Sequence, residues 1–121
     1  GPEVPVLVLG YYNPWVAAQT LDQPVEGVEE AAQGYADLSD AIEAAADGAG
    51  ATFVSLDEAF ATNDTTPTEI GGRTIPENAA RVCTLTNLCT ARDIHFSDEG
   101  AATVARVLAD AATTAGVGAA S

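Results

Sequence analysis

The stretch Val4-Pro5-Val6-Leu7-Val8-Leu9-Gly10 decides which fold this sequence predicts. Up to Leu9 it is a nearly continuous apolar run of β-branched residues and leucine, the pattern of a strand buried on both faces of a parallel sheet. Gly10 ends the run, and the aromatic turn Tyr11-Tyr12-Asn13-Pro14-Trp15 follows it. The stretch therefore predicts an inner strand that leads into a turn at the rim of a sheet.

A helix and a second strand follow in the order that a parallel sheet requires. Within residues 28–46, apolar side chains recur at the spacing of one helical face. They are Val28, Ala31, Ala32, Tyr35, Leu38, Ile42, Ala45 and Ala46. Residues 52–56 form a second short strand. Because both strands of a parallel crossover end at the same rim, residues 11–15 and 57–60 are expected to lie together in an α/β fold.

The remaining sequence predicts one long loop and one more helix. Residues 61–81 are rich in threonine, asparagine, glycine and proline, which predicts a surface loop with little regular structure. Ser97 is placed to cap a helix that starts at Asp98 and Glu99. The buried stripe of this helix is predicted to contain Val104, Val107, Leu108, Ala111 and Ala112.

Length and charge limit the domain count and the partners. The 121 residues suffice for a single domain or half-domain spanning 1–121. The formal net charge is −14, and phosphate-rich partners bind through cationic side chains, so neither nucleic acid nor an anionic membrane surface is expected. No apolar run reaches the length of a membrane-spanning helix, so no membrane span is expected.

His95 is the only histidine and the first candidate for chemistry. It lies between a loop and the predicted start of a helix, with Asp93 two residues before it. A carboxylate so placed can fix the tautomer of a histidine that acts as a general base, and can stabilise its charged form. The alternative interpretation is a surface histidine in a capped turn.

Cys83 and Cys89 are the only cysteines. No companion histidine or cysteine pair stands at metal-ligand spacing, so no metal site is predicted. A local disulfide is favoured, which would imply an oxidising compartment and a secreted protein. Two reduced, buried thiols are the alternative.

Several other side chains give weaker signals. Tyr11, Tyr12 and Trp15 are candidates to line an acyl pocket, although packing beside a strand end explains them equally well. Asp57 and Glu58 can be read as paired glycosidase acids, but solvated acids at a helix start are favoured. No serine stands in the strand-to-turn context of a nucleophile elbow. The serines are Ser39, Ser55, Ser97 and Ser121.

Three segments together resemble the last half of secreted bacterial SGNH hydrolases, particularly actinobacterial ones. They are the strand ending in Tyr11-Tyr12-Asn13-Pro14, the loop from Cys83 to Cys89, and Asp93-Ile94-His95 leading into Asp98-Glu99-Gly100-Ala101. The resemblance spans nearly the whole chain. Its specific parts are the Tyr-Tyr-Asn-Pro turn and the Asp-x-His segment with its helix.

The resemblance implies a flavodoxin-like three-layer α/β/α fold with a parallel sheet, hydrolysing esters through a serine acyl-enzyme without a cofactor. His95 would be the base and Asp93 its acid. The candidate substrate-binding residues are Tyr11, Tyr12, Asn13 and Trp15. The usual family spacing is Asp-x-x-His, and Arg92 occupies that place here, so a backbone carbonyl or another carboxylate is the alternative partner of His95.

In that family the serine block, the oxyanion-hole blocks and several strands precede the part that this chain resembles. The expectation is a fragment, a processed chain or one subunit of a split hydrolase, inactive until a complementary N-terminal chain supplies the serine. The ester substrate would be a lipid, an acylated glycan or a small acyl ester. The alternative is a non-catalytic secreted binding or scaffolding domain.

Overall fold

A computed structural model describes residues 4–20 and 26–115, which have a mixed α/β architecture. The strands in these ranges are β1 (Leu7–Leu9), β2 (Thr52–Val54), β3 (Pro67–Ile70), β4 (Arg73–Pro76), β5 (Thr86–Asn87) and β6 (Asp93–Phe96). The α-helices are α1 (Val28–Gly48), α2 (Asp57–Phe60), α3 (Glu77–Leu85), α4 (Leu88–Ala91) and α5 (Asp98–Thr114), and a 3₁₀ helix covers Pro14–Thr20. The described strands pair two by two.

The predicted strand–helix–strand unit is confirmed. β1 and β2 are parallel neighbours, with Leu7 opposite Thr52, and α1 lies between them in the chain. The aromatic turn and α2 consequently follow strand ends at one rim. The rings of Tyr12 and Phe60 stack there with centroids 4.8 Å apart.

β1 is less buried than its sequence predicts. All three of its residues are half-buried, and Val4 and Val6 just before it are exposed. The prediction of burial on both faces is wrong for the described chain because its parallel sheet holds only β1 and β2. Two strands leave much of their own faces and edges uncovered.

The prediction of a loop over residues 61–81 is also wrong. β3 and β4 form an antiparallel hairpin, with Ile70 opposite Arg73, and α3 begins directly after it. The turn is Gly71-Gly72, with φ angles of 57° and 80°, which are the positive values that a two-residue hairpin turn requires. Beneath the hairpin, Ile75 packs with two alanines of α3.

The main core gathers the 3₁₀ helix, α2, α3 and α5. Its buried side chains are Ala17, Leu56, Phe60, Val82, Leu85 and Val104. The predicted apolar stripe of α5 is confirmed for three of its five residues, since Val107 and Leu108 also pack against this core while Ala111 and Ala112 are half-buried.

The start of α5 is anchored to the end of α3. Ser97 caps the helix as predicted, because its Oγ accepts the Gly100 N–H at 3.1 Å. The same hydroxyl donates to the Thr84 carbonyl at 2.8 Å. Gly100 lies so close to α3 that a Cβ there would be 1.8 Å from the Leu85 carbonyl oxygen. The segment just before Ser97 therefore enters a firmly positioned helix.

Cys83 and Cys89 form the predicted disulfide, with their Cα atoms 5.1 Å apart. The bridge joins α3 to α4 across β5. This finding decides against the alternative of two reduced thiols and is compatible with an oxidising environment.

Candidate functional site

β6 carries both candidate catalytic residues. Asp93 and His95 are two positions apart on the strand, so their side chains project from the same face. Asp93 Oδ1 accepts the backbone N–H of His95 at 3.0 Å and lies 2.5 Å from His95 Nδ1. The structure therefore brings the two residues together, and the ring is contacted by Asp93 rather than by a backbone carbonyl or another carboxylate.

The contact between Asp93 and His95 is arranged as a carboxylate that supports a histidine base. The backbone N–H of His95, and then its ring, lower the pKa of Asp93, which keeps that carboxyl group charged. A carboxylate at Nδ1 favours the neutral tautomer with its proton on that nitrogen, leaving Nε2 as the basic atom. The His95 side chain is 84% exposed. In the described ranges no second group hydrogen bonds to the ring, so Nε2 is open to solvent.

Arg92, the residue before Asp93, has a backbone role. Its φ of 53° lies in the left-handed region, where it ends α4 and turns the chain into β6. This conformation costs a residue with a Cβ about 1 kcal/mol. It is a local strain directly beside the Asp93–His95 pair.

Tyr12 links the aromatic turn to β6. Its hydroxyl donates to the Ile94 carbonyl at 2.5 Å, and its ring packs near Phe96 with centroids 5.9 Å apart. Burial is the main reason why the pKa of Tyr12 is raised, so this hydroxyl keeps its proton. Tyr12 thus fixes the backbone of Ile94, the residue between Asp93 and His95, although the two residues are 82 positions apart in the sequence.

An apolar groove of about 530 Å³ lies between the aromatic turn and α1. Its lining residues are Tyr11, Tyr12, Pro14, Trp15, Ala31, Gly34, Tyr35, Leu38 and Ile94. Of the four predicted substrate-binding residues, three therefore share one surface. We call it the aromatic groove.

Asn13, the fourth residue predicted to bind substrate, does not line the aromatic groove. It is buried, and its Oδ1 accepts the backbone N–H of Trp15 at 3.0 Å. This is the local turn that asparagine forms readily when a proline follows it. Asn13 therefore shapes the turn that presents its aromatic neighbours.

The groove and the Asp93–His95 pair flank the same strand. Ile94 lines the groove, whereas Asp93 and His95, its two neighbours on β6, do not. The structure thus brings the predicted residues together in two groups, the groove residues and the Asp93–His95 pair, which are joined through Ile94.

Tyr35 is a residue of this region that sequence reasoning assigned only to the buried face of a helix. Its hydroxyl lies 2.8 Å from the Tyr11 carbonyl oxygen and 2.7 Å from Asp57 Oδ1. Thr62 donates to the same carboxylate oxygen at 2.8 Å. Burial, followed by Asp57, raises the pKa of Tyr35. Asp57 therefore holds Tyr35 in the groove wall. The sequence placed Tyr11 and Asp57 at one rim but did not connect Tyr35 to them.

The serines of the described chain have structural positions. Ser39 lies within α1, Ser55 Oγ accepts the Asp57 backbone N–H at 3.0 Å, and Ser97 caps α5. Ser121 lies outside the described residues. Within the ranges described, no serine is paired with His95.

The described residues contain neither a metal-binding cluster nor a membrane-spanning helix. Among them, no group of three or more His, Cys, Asp or Glu residues could hold a metal ion. None of the helices described is long and apolar enough to cross a membrane.

Comparisons of this chain with protein-family models, with curated proteins and with solved structures find no match. The candidate site therefore has to be interpreted from its own geometry.

Proposed function

We propose that this chain supplies the histidine–aspartate pair of a secreted serine ester hydrolase of the SGNH type. The observation that carries the proposal is the contact of Asp93 Oδ1 with His95 Nδ1 at 2.5 Å, combined with the exposure of the ring. This arrangement is the base half of a serine–histidine–aspartate triad. In this proposal a complementary segment or chain contributes the serine.

Each residue has a definite task in the proposed reaction. The serine hydroxyl attacks the ester carbonyl carbon while His95 Nε2 takes the hydroxyl proton, and Asp93 stabilises the resulting imidazolium. His95 then returns the proton to the leaving alkoxide as the C–O bond breaks. Water attacks the acyl-enzyme in the same way and regenerates the serine. This chemistry uses no cofactor.

The open face of the first sheet supports the proposal of a complementary segment. β1 is half-buried in a two-stranded sheet, and Val4 and Val6 beside it are exposed. An apolar strand with an unpaired edge is a template for another strand. Further strands beside β1 would complete the flavodoxin-like three-layer fold that belongs to this proposal.

The first test measures the tautomer of His95, whose signals are unambiguous because the chain has one histidine. We expect ¹⁵N NMR of the neutral ring to show the proton on Nδ1, and Asp93→Asn to shift it toward Nε2. Asp110→Asn, the same change on an exposed part of α5, is the matched control. A wild-type ring protonated mainly on Nε2 would contradict the role of Asp93.

The second test asks for the serine. Native material containing the chain is separated by size, labelled with a fluorophosphonate and assayed with p-nitrophenyl acetate. We expect a labelled serine in the same polypeptide or in a co-eluting one, and loss of hydrolysis in His95→Ala. A monomeric, unlabelled and inactive native protein would instead favour the non-catalytic binding domain, for which the aromatic groove supplies a surface.

A further inference from the structure

We infer that the aromatic groove binds an uncharged aliphatic chain. Four of the six large apolar side chains that are exposed in the described residues line it: Tyr11, Trp15, Leu38 and Ile94. A groove of about 530 Å³ falls within the usual size of small-ligand sites. The further statement that this aliphatic ligand is the acyl part of an ester rests on the proposed function. The binding of an aliphatic ligand in the groove does not.

Two of the three tyrosine hydroxyls in the groove wall are already engaged, which favours an aliphatic ligand over a sugar. A sugar site needs polar groups that are free to bind hydroxyls. Here the Tyr12 hydroxyl is engaged by the Ile94 carbonyl, and the Tyr35 hydroxyl lies between the Tyr11 carbonyl and Asp57. These two tyrosines therefore offer the ligand mainly their rings.

The charge around the groove favours a neutral ligand. None of the lining residues is basic, and the protein as a whole carries a net charge of −14. An anionic ligand would enter a negative field without a cation to receive it. The groove therefore suits the hydrocarbon part of a neutral ester better than a free fatty acid.

The position of the groove restricts which part of an ester it takes. Ile94 is one residue from both Asp93 and His95 on β6, but only Ile94 lines the groove. The groove therefore holds the hydrocarbon chain, and the ester group itself lies outside it.

Trp15 provides a direct readout because it is the only tryptophan and lines the groove. Its fluorescence is titrated with straight-chain alcohols from hexanol to decanol, each below its solubility limit. We expect a blue shift and an affinity that rises by about fourfold for each added methylene that the groove buries. Decanoate should bind more weakly than decanol at low salt, with a smaller difference at high salt.

Two charge substitutions make the test specific. Leu38 lines the groove and is 48% exposed, and Val6 lies outside it and is 54% exposed. Leu38→Glu should weaken decanol binding by about tenfold or more, while Val6→Glu should leave it unchanged. Circular dichroism and an intact-mass measurement of the disulfide check that both variants are folded.

Equal affinities across the alcohol series, binding of decanoate as tight as that of decanol, or full binding by Leu38→Glu would each overturn the inference. A fluorescence response to a methyl glycoside but not to decanol would also overturn it, in favour of a sugar. The outcome is separate from that of the proposed function, because Asp93→Asn should bind decanol normally. Alcohol binding without a hydrolytic serine would sustain the groove and reject the hydrolase.

Discussion

The first and second halves of the described chain are held in place by different means. α1 buries one of its 21 residues, Ala46, whereas α3 buries five of its nine. β1 and β2 form an open two-stranded sheet, while the second half is fastened by the disulfide and by the contact of Gly100 with Leu85. The difference shows that the Asp93–His95 pair takes its geometry from the packed half, and that the open half presents apolar surface.

The strongest test of this contrast is one substitution made in each half. Gly100→Ala places a Cβ against the Leu85 carbonyl oxygen. Because the clash involves backbone atoms of α3 and α5, it can be relieved only if one of these helices moves. We expect it to lower the free energy of unfolding by about 3 kcal/mol. Urea denaturation followed by circular dichroism measures the change.

Gly34→Ala in α1 is the control, because no atom lies within 4 Å of the added Cβ. In a helix interior, alanine should raise the free energy of unfolding by about 1 kcal/mol relative to glycine. If both substitutions change the free energy of unfolding in the same direction, the two halves are not packed as differently as we conclude.

The disulfide should have the next largest effect. Reducing Cys83–Cys89 frees a short loop, and the chain-entropy account predicts a loss of about 2 kcal/mol of stability. The urea midpoint is compared with and without dithiothreitol. The double variant Cys83→Ala/Cys89→Ala should have the lower urea midpoint with or without dithiothreitol. If dithiothreitol also leaves the wild-type midpoint unchanged, the disulfide does not stabilise the fold.

The Asp93–His95 contact should contribute least to stability, because both side chains are largely exposed. The pKa of Asp93 is lower in the folded protein than its ordinary value of 3.8. Its contribution is therefore present above that value and lost as the pH falls through the lower folded pKa. Wild type and Asp93→Asn should thus differ slightly in thermal midpoint at pH 6 and converge as the pH falls below 3.8 and through the lower folded pKa. A difference that grows on acidification would have the wrong sign.

The features that the sequence predicted well have local signals. Ser97 and the acids after it mark the start of α5, apolar spacing marks α1, and a separation of six positions between two cysteines favours a short bridge. The Asp93–His95 contact belongs to this group, because residues two apart on a strand share a face. Each of these can be recognised within a few neighbouring residues.

The features that were missed have two different causes. The hairpin at Gly71-Gly72 has a local signal for a two-residue turn, which the general composition of residues 61–81 concealed. The burial of β1 was overestimated because an apolar pattern indicates that a strand can be buried. It does not indicate how many neighbouring strands are present to bury it. Tyr35 was missed because its partners Tyr11 and Asp57 come from distant segments, and no spacing rule connects them.

The bond from Tyr12 to Ile94 has a consequence for the order of folding. The two residues are 82 positions apart, so the bond forms only after most of the chain has been drawn into a loop. α1, the Gly71-Gly72 hairpin and the start of α5 depend on near neighbours and can form much earlier. A partly folded chain would therefore already contain its helices, while the aromatic groove would still lack the wall formed by Ile94.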